Sequence, residues 1–373
     1  MIVVASLVTV VVVAVLVAHP WQEVPPTMRS PEPPRTLRSV SVDFGIVTDP
    51  ETDWQALDAR LDAAGVTGVD LNAGRVEFTA FDWPAHPESA AEPGSDHLAR
   101  AARALRLTAD GEQRQIGLIV DAYVPEWIAA DPSVAGVDAD GRRVPYNASA
   151  AQIAHGPVGD RLVEYVAALG ARYQPSQIAV TELFLYHSFG DEDLALYRAA
   201  TGAADWPRTE DGRPDGLDPT VGAWRSEVIA GLLRRMRAAL DEAGASGVAL
   251  AIDVEVDWAD PPRGLPSSGH DFAVLLGAAD RLVLWAYTFA ARPPSEVGTF
   301  TAALVAAGAD MSRLVLSVGL WAPASLDPPG ALPASALAEA VGSAQAAGAT
   351  HVNVTPVSLV SEEDWAVLAD LWG

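Results

Sequence analysis

From residue 39 to residue 357 the chain keeps one rhythm. Eight short runs of apolar and β-branched residues fall at 39–46, 68–72, 115–123, 177–186, 248–257, 281–289, 313–321 and 351–357. Longer amphipathic or alanine-rich stretches lie between and after them, at 54–64, 96–105, 158–173, 223–242, 294–307, 335–347 and 362–371. In the first of these, LDARLDAAG (57–65) carries apolar residues at helical spacing and a glycine at its stop. Several short runs, such as QIGLIVD, GVALAID and RLVLWAY, are nearly continuous in apolar residues. A strand reads this way when both of its faces are covered, as in a parallel sheet wrapped by helices. Eight such units in about 330 residues predict one α/β domain, a (β/α)8 (TIM) barrel spanning 38–373. The alternative is an open doubly wound sheet, which usually carries a phosphate-binding glycine loop after its first strand. Here that turn reads FGIVTDPETDW, with no G-x-G-x-x-G.

Ahead of the barrel, residues 2–18 are apolar and uncharged, close to the shortest length that crosses a bilayer. They are expected to act as an N-terminal transmembrane anchor, or alternatively as a cleaved signal helix, within a segment 1–19. Residues 20–37 follow as a stiff spacer containing Pro25, Pro26, Pro31, Pro33 and Pro34. Arg29, Arg35 and Arg38 follow the apolar run, which opposes an outward-facing body by the positive-inside rule. The barrel is nonetheless placed outside the cell membrane, or secreted, because of the chemistry read below. Oligomeric state is left open.

Composition removes several function classes. A net charge of −25 repels a phosphate backbone, so no nucleic-acid partner is expected. With no cysteine there is no disulfide, thiolate nucleophile or Cys-bound metal. With no lysine there is no P-loop lysine and no Schiff base. The seven histidines include no H-x-x-x-H or H-E-x-x-H pair, and there is no G-x-S-x-G elbow. No metal site and no cofactor is expected.

Active sites of such barrels sit at the C-terminal ends of the strands. There the runs bring Asp43; Asp70 and Asn72; Asp121 and Tyr123, with Glu126 and Trp127 beyond; Glu182, Tyr186 and His187; Asp253, Glu255 and Asp257; Trp285 and Tyr287; Trp321; and Asn353. A carboxylate inside an apolar strand costs desolvation energy unless it is paired or opens into a solvated mouth. Each one alone reads as a core acid paired with arginine. Carboxylates with aromatic walls suit sugars, and glycosidic bond cleavage needs one protonated acid and one carboxylate nucleophile or base. Glu182 is the expected general acid, with Asp253 or Glu255 as partner. Asp43, Asp70, Asp121, Tyr123, Trp127, Tyr186, His187, Trp285, Tyr287 and Trp321 are expected to bind substrate. Elsewhere, DADGRRVPYNASAAQIAHG (138–156) is either a cleft wall or a surface excursion. Trp206 is either a sugar platform or a packing anchor, and D-E-D (191–193) reads as a solvated helix start.

Four segments carry a resemblance: SVDF (41–44), GLIVDAYVPEW (117–127), VTELFLYHSFGDED (180–193) and AIDVEVDW (251–258). With them the chain resembles the (β/α)8 glycoside hydrolases and glycosidase-like bacterial proteins. The resemblance implies an acid at the end of strand 4, here Glu182. It departs from the large group with its second carboxylate on strand 7, because that strand reads LVLSVGLW. The expected function is therefore hydrolysis of a polysaccharide or cell-wall glycan. Two alternatives stand beside it: a non-catalytic carbohydrate-binding or envelope protein on a degenerate barrel, and a divalent-metal enzyme using the same carboxylates.

Overall fold

The structure, a computed structural model, describes residues 28–29, 34–288, 292–322 and 330–373. Eight parallel strands form the barrel: β1 (Leu37–Val42), β2 (Gly68–Arg75), β3 (Gln115–Asp121), β4 (Gln177–Thr181), β5 (Ala249–Val254), β6 (Arg281–Trp285), β7 (Leu314–Gly319) and β8 (His351–Thr355). Each pairs in parallel with its sequence neighbours, and β1 pairs with both β2 and β8, which closes the ring. The expected fold is thus present, and the open sheet is excluded.

A helix follows each strand: α1 (Trp54–Ala63), α2 (His97–Leu105), α3 (Pro157–Tyr173), α4 (Pro219–Glu242), α5 (Phe272–Leu276), α6 (Glu296–Ala306), α7 (Ala334–Ala346) and α8 (Glu362–Trp372). Their apolar faces explain the placement. In α2, Leu98, Ala101, Ala102 and Leu105 are buried at helical spacing, and Asp96 caps the helix by accepting the Ala99 N–H at 2.8 Å. The sequence reading missed α5. It is one short turn preceded by a two-stranded ribbon, Gly264–Leu265 paired antiparallel with His270–Asp271.

Most of the strands stop short of the ends of their apolar runs, although β2 continues past its run to Arg75. Strand β1 stops at Val42, and Phe44–Thr48 turns into a short helix; β4 stops at Thr181 and β5 at Val254. The apolar residues past these ends, such as Leu183 and Leu185, are buried although they lie outside the strands. One further reading is corrected and one open alternative is decided. Asp193 is buried rather than solvated, and its carboxylate accepts the Ala151 and Gly190 N–H groups at 2.8 and 3.2 Å. Trp206 is a packing anchor, buried against Tyr197, Trp224 and Phe189.

The anchor expectation for residues 2–18 lies outside the described residues. Among the described residues no helix is long and apolar enough to cross a membrane. Met28, in the expected spacer, is buried, and its N–H donates to the Tyr173 carbonyl at 3.3 Å.

Candidate active site

Barrel interiors are normally filled by bulky branched side chains. This one is not. On one side Ala179, Ala251, Val283 and Val315, from β4 to β7, make a small apolar patch of their own. On the other side the inward residues are polar. Gln177 Nε2 donates to Asp70 Oδ1 at 2.8 Å, and Asn353 Nδ2 donates to Ser39 Oγ at 3.0 Å. The Ser41 and Ser317 hydroxyls donate to Asn353 Oδ1 at 3.1 and 3.2 Å. Gly117 lies opposite Asp70 in the β2–β3 register, and a Cβ there would sit 2.0 Å from Asp70 Oδ1. Gly319 leaves the same kind of room, because its Cβ would meet the Tyr287 ring at 2.6 Å. Small and polar side chains leave a cavity of about 160 Å³ open at the C-terminal rim.

Five expected acids line that cavity: Asp43, Asp70, Asp121, Glu182 and Asp253. No arginine or histidine lines it among the described residues. Asp70 forms the floor. Burial raises its pKa, while the bond from Gln177 and the facing Arg281 guanidinium pull it down. Asp43 is held at the rim, where it accepts the Ser358 N–H and hydroxyl, both at 3.0 Å.

The other three acids sit at the ends of adjacent strands β3, β4 and β5. Glu182 follows β4 directly with φ of 59°, a left-handed backbone uncommon for any residue but glycine or asparagine. The Tyr123 hydroxyl donates to Glu182 Oε2 at 2.5 Å. Burial raises the Glu182 pKa, and the Tyr123 bond counteracts it by favouring the ionised form. Asp253 is pushed to about 7, mainly by burial, with the Glu182 and Asp70 charges adding to the rise; Thr181 and Trp285 donate to it and oppose the rise. The Trp285 indole N–H reaches Asp253 Oδ2 at 3.3 Å. Asp121 rises to about 6 by burial and the Glu182 charge, against the Asn72 amide that donates to it at 3.3 Å.

Glu255 stands apart. It lies against the Tyr186 and Ser268 hydroxyls, and burial together with the Glu182 charge raises its pKa. Among the described residues Glu255, Tyr123, Tyr186, His187, Trp127 and Trp285 do not line the cavity itself. Tyr123 and Trp285 instead donate to two carboxylates that do, Glu182 and Asp253. Trp127 is partly buried and packs against the core under the Arg161 guanidinium, 5.2 Å from its ring. His187 is half-buried, and its backbone carbonyl accepts the Val137 N–H. Tyr287 and Trp321 do line the cavity, their rings 5.2 Å apart.

The sequence reading missed the groups that set these loops. His270 is fully buried and held neutral, its pKa lowered to about 4 by burial. Its Nδ1 accepts the Glu255 N–H at 3.0 Å and its Nε2–H donates to the Leu183 carbonyl at 2.9 Å. It therefore ties the residue after Glu182 to Glu255. Buried Arg225 on α4 donates to Ser188 Oγ at 2.9 Å and to the Tyr186, Gly216 and Ser267 carbonyls at 3.2, 3.1 and 2.5 Å. An arginine in an amphipathic helix reads as surface, so no local signal marked it. Among the described residues no three carboxylate or imidazole groups converge as ligands of a metal ion.

A scan of the sequence finds no matching family model, and a search of curated proteins finds no match. The fold is similar to that of solved structures. The PgaB (BpsB) glycoside hydrolase domain from Bordetella bronchiseptica superimposes with TM-score 0.67 at 16% identity, over 91% of this chain and 99% of that one. The catalytic domain of a β-amylase from Paenibacillus polymyxa gives TM-score 0.57 at 14% identity, over 90% and 97% of the two chains. A β-galactosidase from the psychrophilic Marinomonas ef1 gives 0.65 at 13%, over 90% of this chain and 59% of that longer one. At these identities the likeness is one of fold.

Proposed function

We propose that this barrel is a glycoside hydrolase acting on a polysaccharide or cell-wall glycan. The observation that carries the reading is that Asp121, Glu182 and Asp253, from three adjacent strands, line one cavity beside Tyr287 and Trp321. The solved barrels of similar fold bear glycosidase names, which supports it. The environments divide the work. Asp253, with a pKa of about 7, keeps a proton near neutral pH and suits the general acid that protonates the leaving oxygen. Glu182 receives the Tyr123 hydroxyl and suits the ionised partner, nucleophile or base. This reverses the roles expected from sequence, where Glu182 was the acid. A second reading, a non-catalytic carbohydrate-binding barrel, is favoured by β7, which ends without a carboxylate. The chain's place outside a membrane, held by residues 2–18 or secreted, is part of the same proposal.

The test uses glycan hydrolysis by the full chain together with aryl glycosides whose phenol leaves without protonation. Asp253→Asn should lose turnover of natural glycans about 100-fold or more and keep turnover of the activated aryl glycoside. Glu182→Gln should lose both. Loss of both in both variants returns the acid role to open competition, and binding without turnover by the native chain favours the second reading.

A further inference from the structure

Large hydrophobic side chains left exposed among the described residues are few: Leu107, Tyr146, Leu217, Val305 and Trp321. Two are aromatic, and both stand at the barrel mouth. Trp321 is 40% exposed, follows β7 and lines the cavity. Tyr146 is 56% exposed and belongs to a strand, Arg143–Ala148, in the β3–α3 connection. Its carbonyl accepts the Val124 N–H at 3.1 Å, which fixes it to the end of β3. Its ring lies 5.8 Å from that of Tyr123, whose hydroxyl holds Glu182. In a closed ring of eight strands in sequence order, β3 and β7 are diametrically opposed. The two exposed rings therefore stand on opposite sides of the barrel mouth, with Glu182 reached through Tyr123 on the β3 side.

Exposed aromatic faces cost free energy in water unless something covers them. A sugar ring covers such a face well, since its axial C–H groups are apolar and its hydroxyls point outward around the edge. Strands about 4.8 Å apart and tilted about 36° make a ring about 15 Å across, the span of roughly three sugar units. A terminal sugar alone would touch one platform at most.

We infer that the mouth holds an extended glycan laid across the β3–β7 diameter, stacked on Tyr146 at one end and Trp321 at the other, so that internal bonds are cleaved. The inference rests on the glycosidase reading and adds to it the direction of the chain and an endo-acting mode. Tyr146 is then a specificity-determining residue.

The experiment measures binding of cello-oligosaccharides, chito-oligosaccharides and their de-N-acetylated forms, each of two and of six rings, to the full chain by calorimetry. At least one six-ring probe should bind more tightly than its two-ring counterpart. Tyr146→Ala and Trp321→Ala should each weaken the six-ring probe about tenfold. The two-ring probe should respond to no more than one of these substitutions. Tyr146→Phe, which keeps the ring, should restore binding, and Leu217→Ala should change nothing. Products of the bound series should be internal fragments. Six-ring binding indifferent to Tyr146→Ala, or equal affinity for two and six rings, overturns the inference. Release of single sugars from chain ends overturns it while the glycosidase reading stands. Aryl glycoside turnover with no six-ring probe bound does the same. Length-dependent binding that needs both platforms, without turnover, keeps the two-platform cleft and rejects hydrolysis. Neither binding nor turnover rejects both.

Discussion

A carboxyl kept protonated by burial works against the fold that buries it, and Asp253 provides the measurable case. Its ordinary pKa is 3.8, and in the folded chain it is about 7. That rise corresponds to at most about 4 kcal/mol held against the native state once the group is ionised. Part of the residue opens to the cavity, so screening by water brings the expected figure to about 2 kcal/mol. The sign follows from proton counting. Below about pH 4 the folded and unfolded chains both carry the proton, and there is no penalty. Between about 4 and 7 the unfolded chain ionises first, so stability falls as pH rises, and above about 7 the full penalty remains. Asp253→Asn removes the titration while its amide oxygen still accepts the Trp285 N–H. In urea unfolding the variant should gain about 2 kcal/mol over the native chain at pH 8, and its Tm should rise by a few degrees. At pH 4 the gain should shrink towards zero. The titrations of His270 and His351 are common to both proteins and cancel in the difference. A variant less stable at pH 8, or one with the same gain at both pH values, refutes the reasoning.

On the proposed function the same proton should set the pH profile of hydrolysis. The rate on natural glycans should fall as pH rises through about 7, where Asp253 gives up its proton, while kcat/KM for the activated aryl glycoside, which needs no proton from it, should lack that limb. Arg225→Met should destabilise the chain by about 2–4 kcal/mol, because it strands the Tyr186, Gly216 and Ser267 carbonyls inside the protein. Hydrogen exchange should accelerate at the backbone of residues 183–189 and 264–271, while β1 and β8 should stay protected.

The barrel was legible because its signal is redundant. Apolar runs such as LVLSV in β7 are buried on both faces, which calls for a parallel sheet wrapped by helices, and eight of them without a phosphate-binding glycine loop favour the closed ring over the open sheet. The ends of the strands were not legible, because loop residues such as Leu183 and Leu185 are as buried as strand residues and therefore as apolar. For the site, alternation correctly put Asp253 inside the barrel, since side-chain direction follows from local period alone. Glu255 keeps the same alternation in sequence, yet it lies beyond the last residue of β5, where loop geometry replaces the pleat. The setting of two aromatics was hidden for a different reason: Trp127 and Trp206 pack against Arg161 and Tyr197, partners distant in sequence or on a helix whose packing the sequence does not display.

Glu182 shows where pattern reading ends. A glutamate in a left-handed backbone costs of order 1–3 kcal/mol compared with a relaxed site. Nothing in V-T-E-L announces it. The strain persists because the neighbours over-determine the turn. The Leu183 carbonyl is bonded by His270, the Leu185 N–H donates to the Ser268 carbonyl at 2.8 Å, and the Glu182 carboxylate is held by Tyr123. These partners come from β3 and from the ribbon after β5. The turn can therefore form only once β3, β4 and β5 stand side by side. That dependence explains why the acid-bearing strand end was visible in the sequence as composition, while the conformation that aims the acid was not.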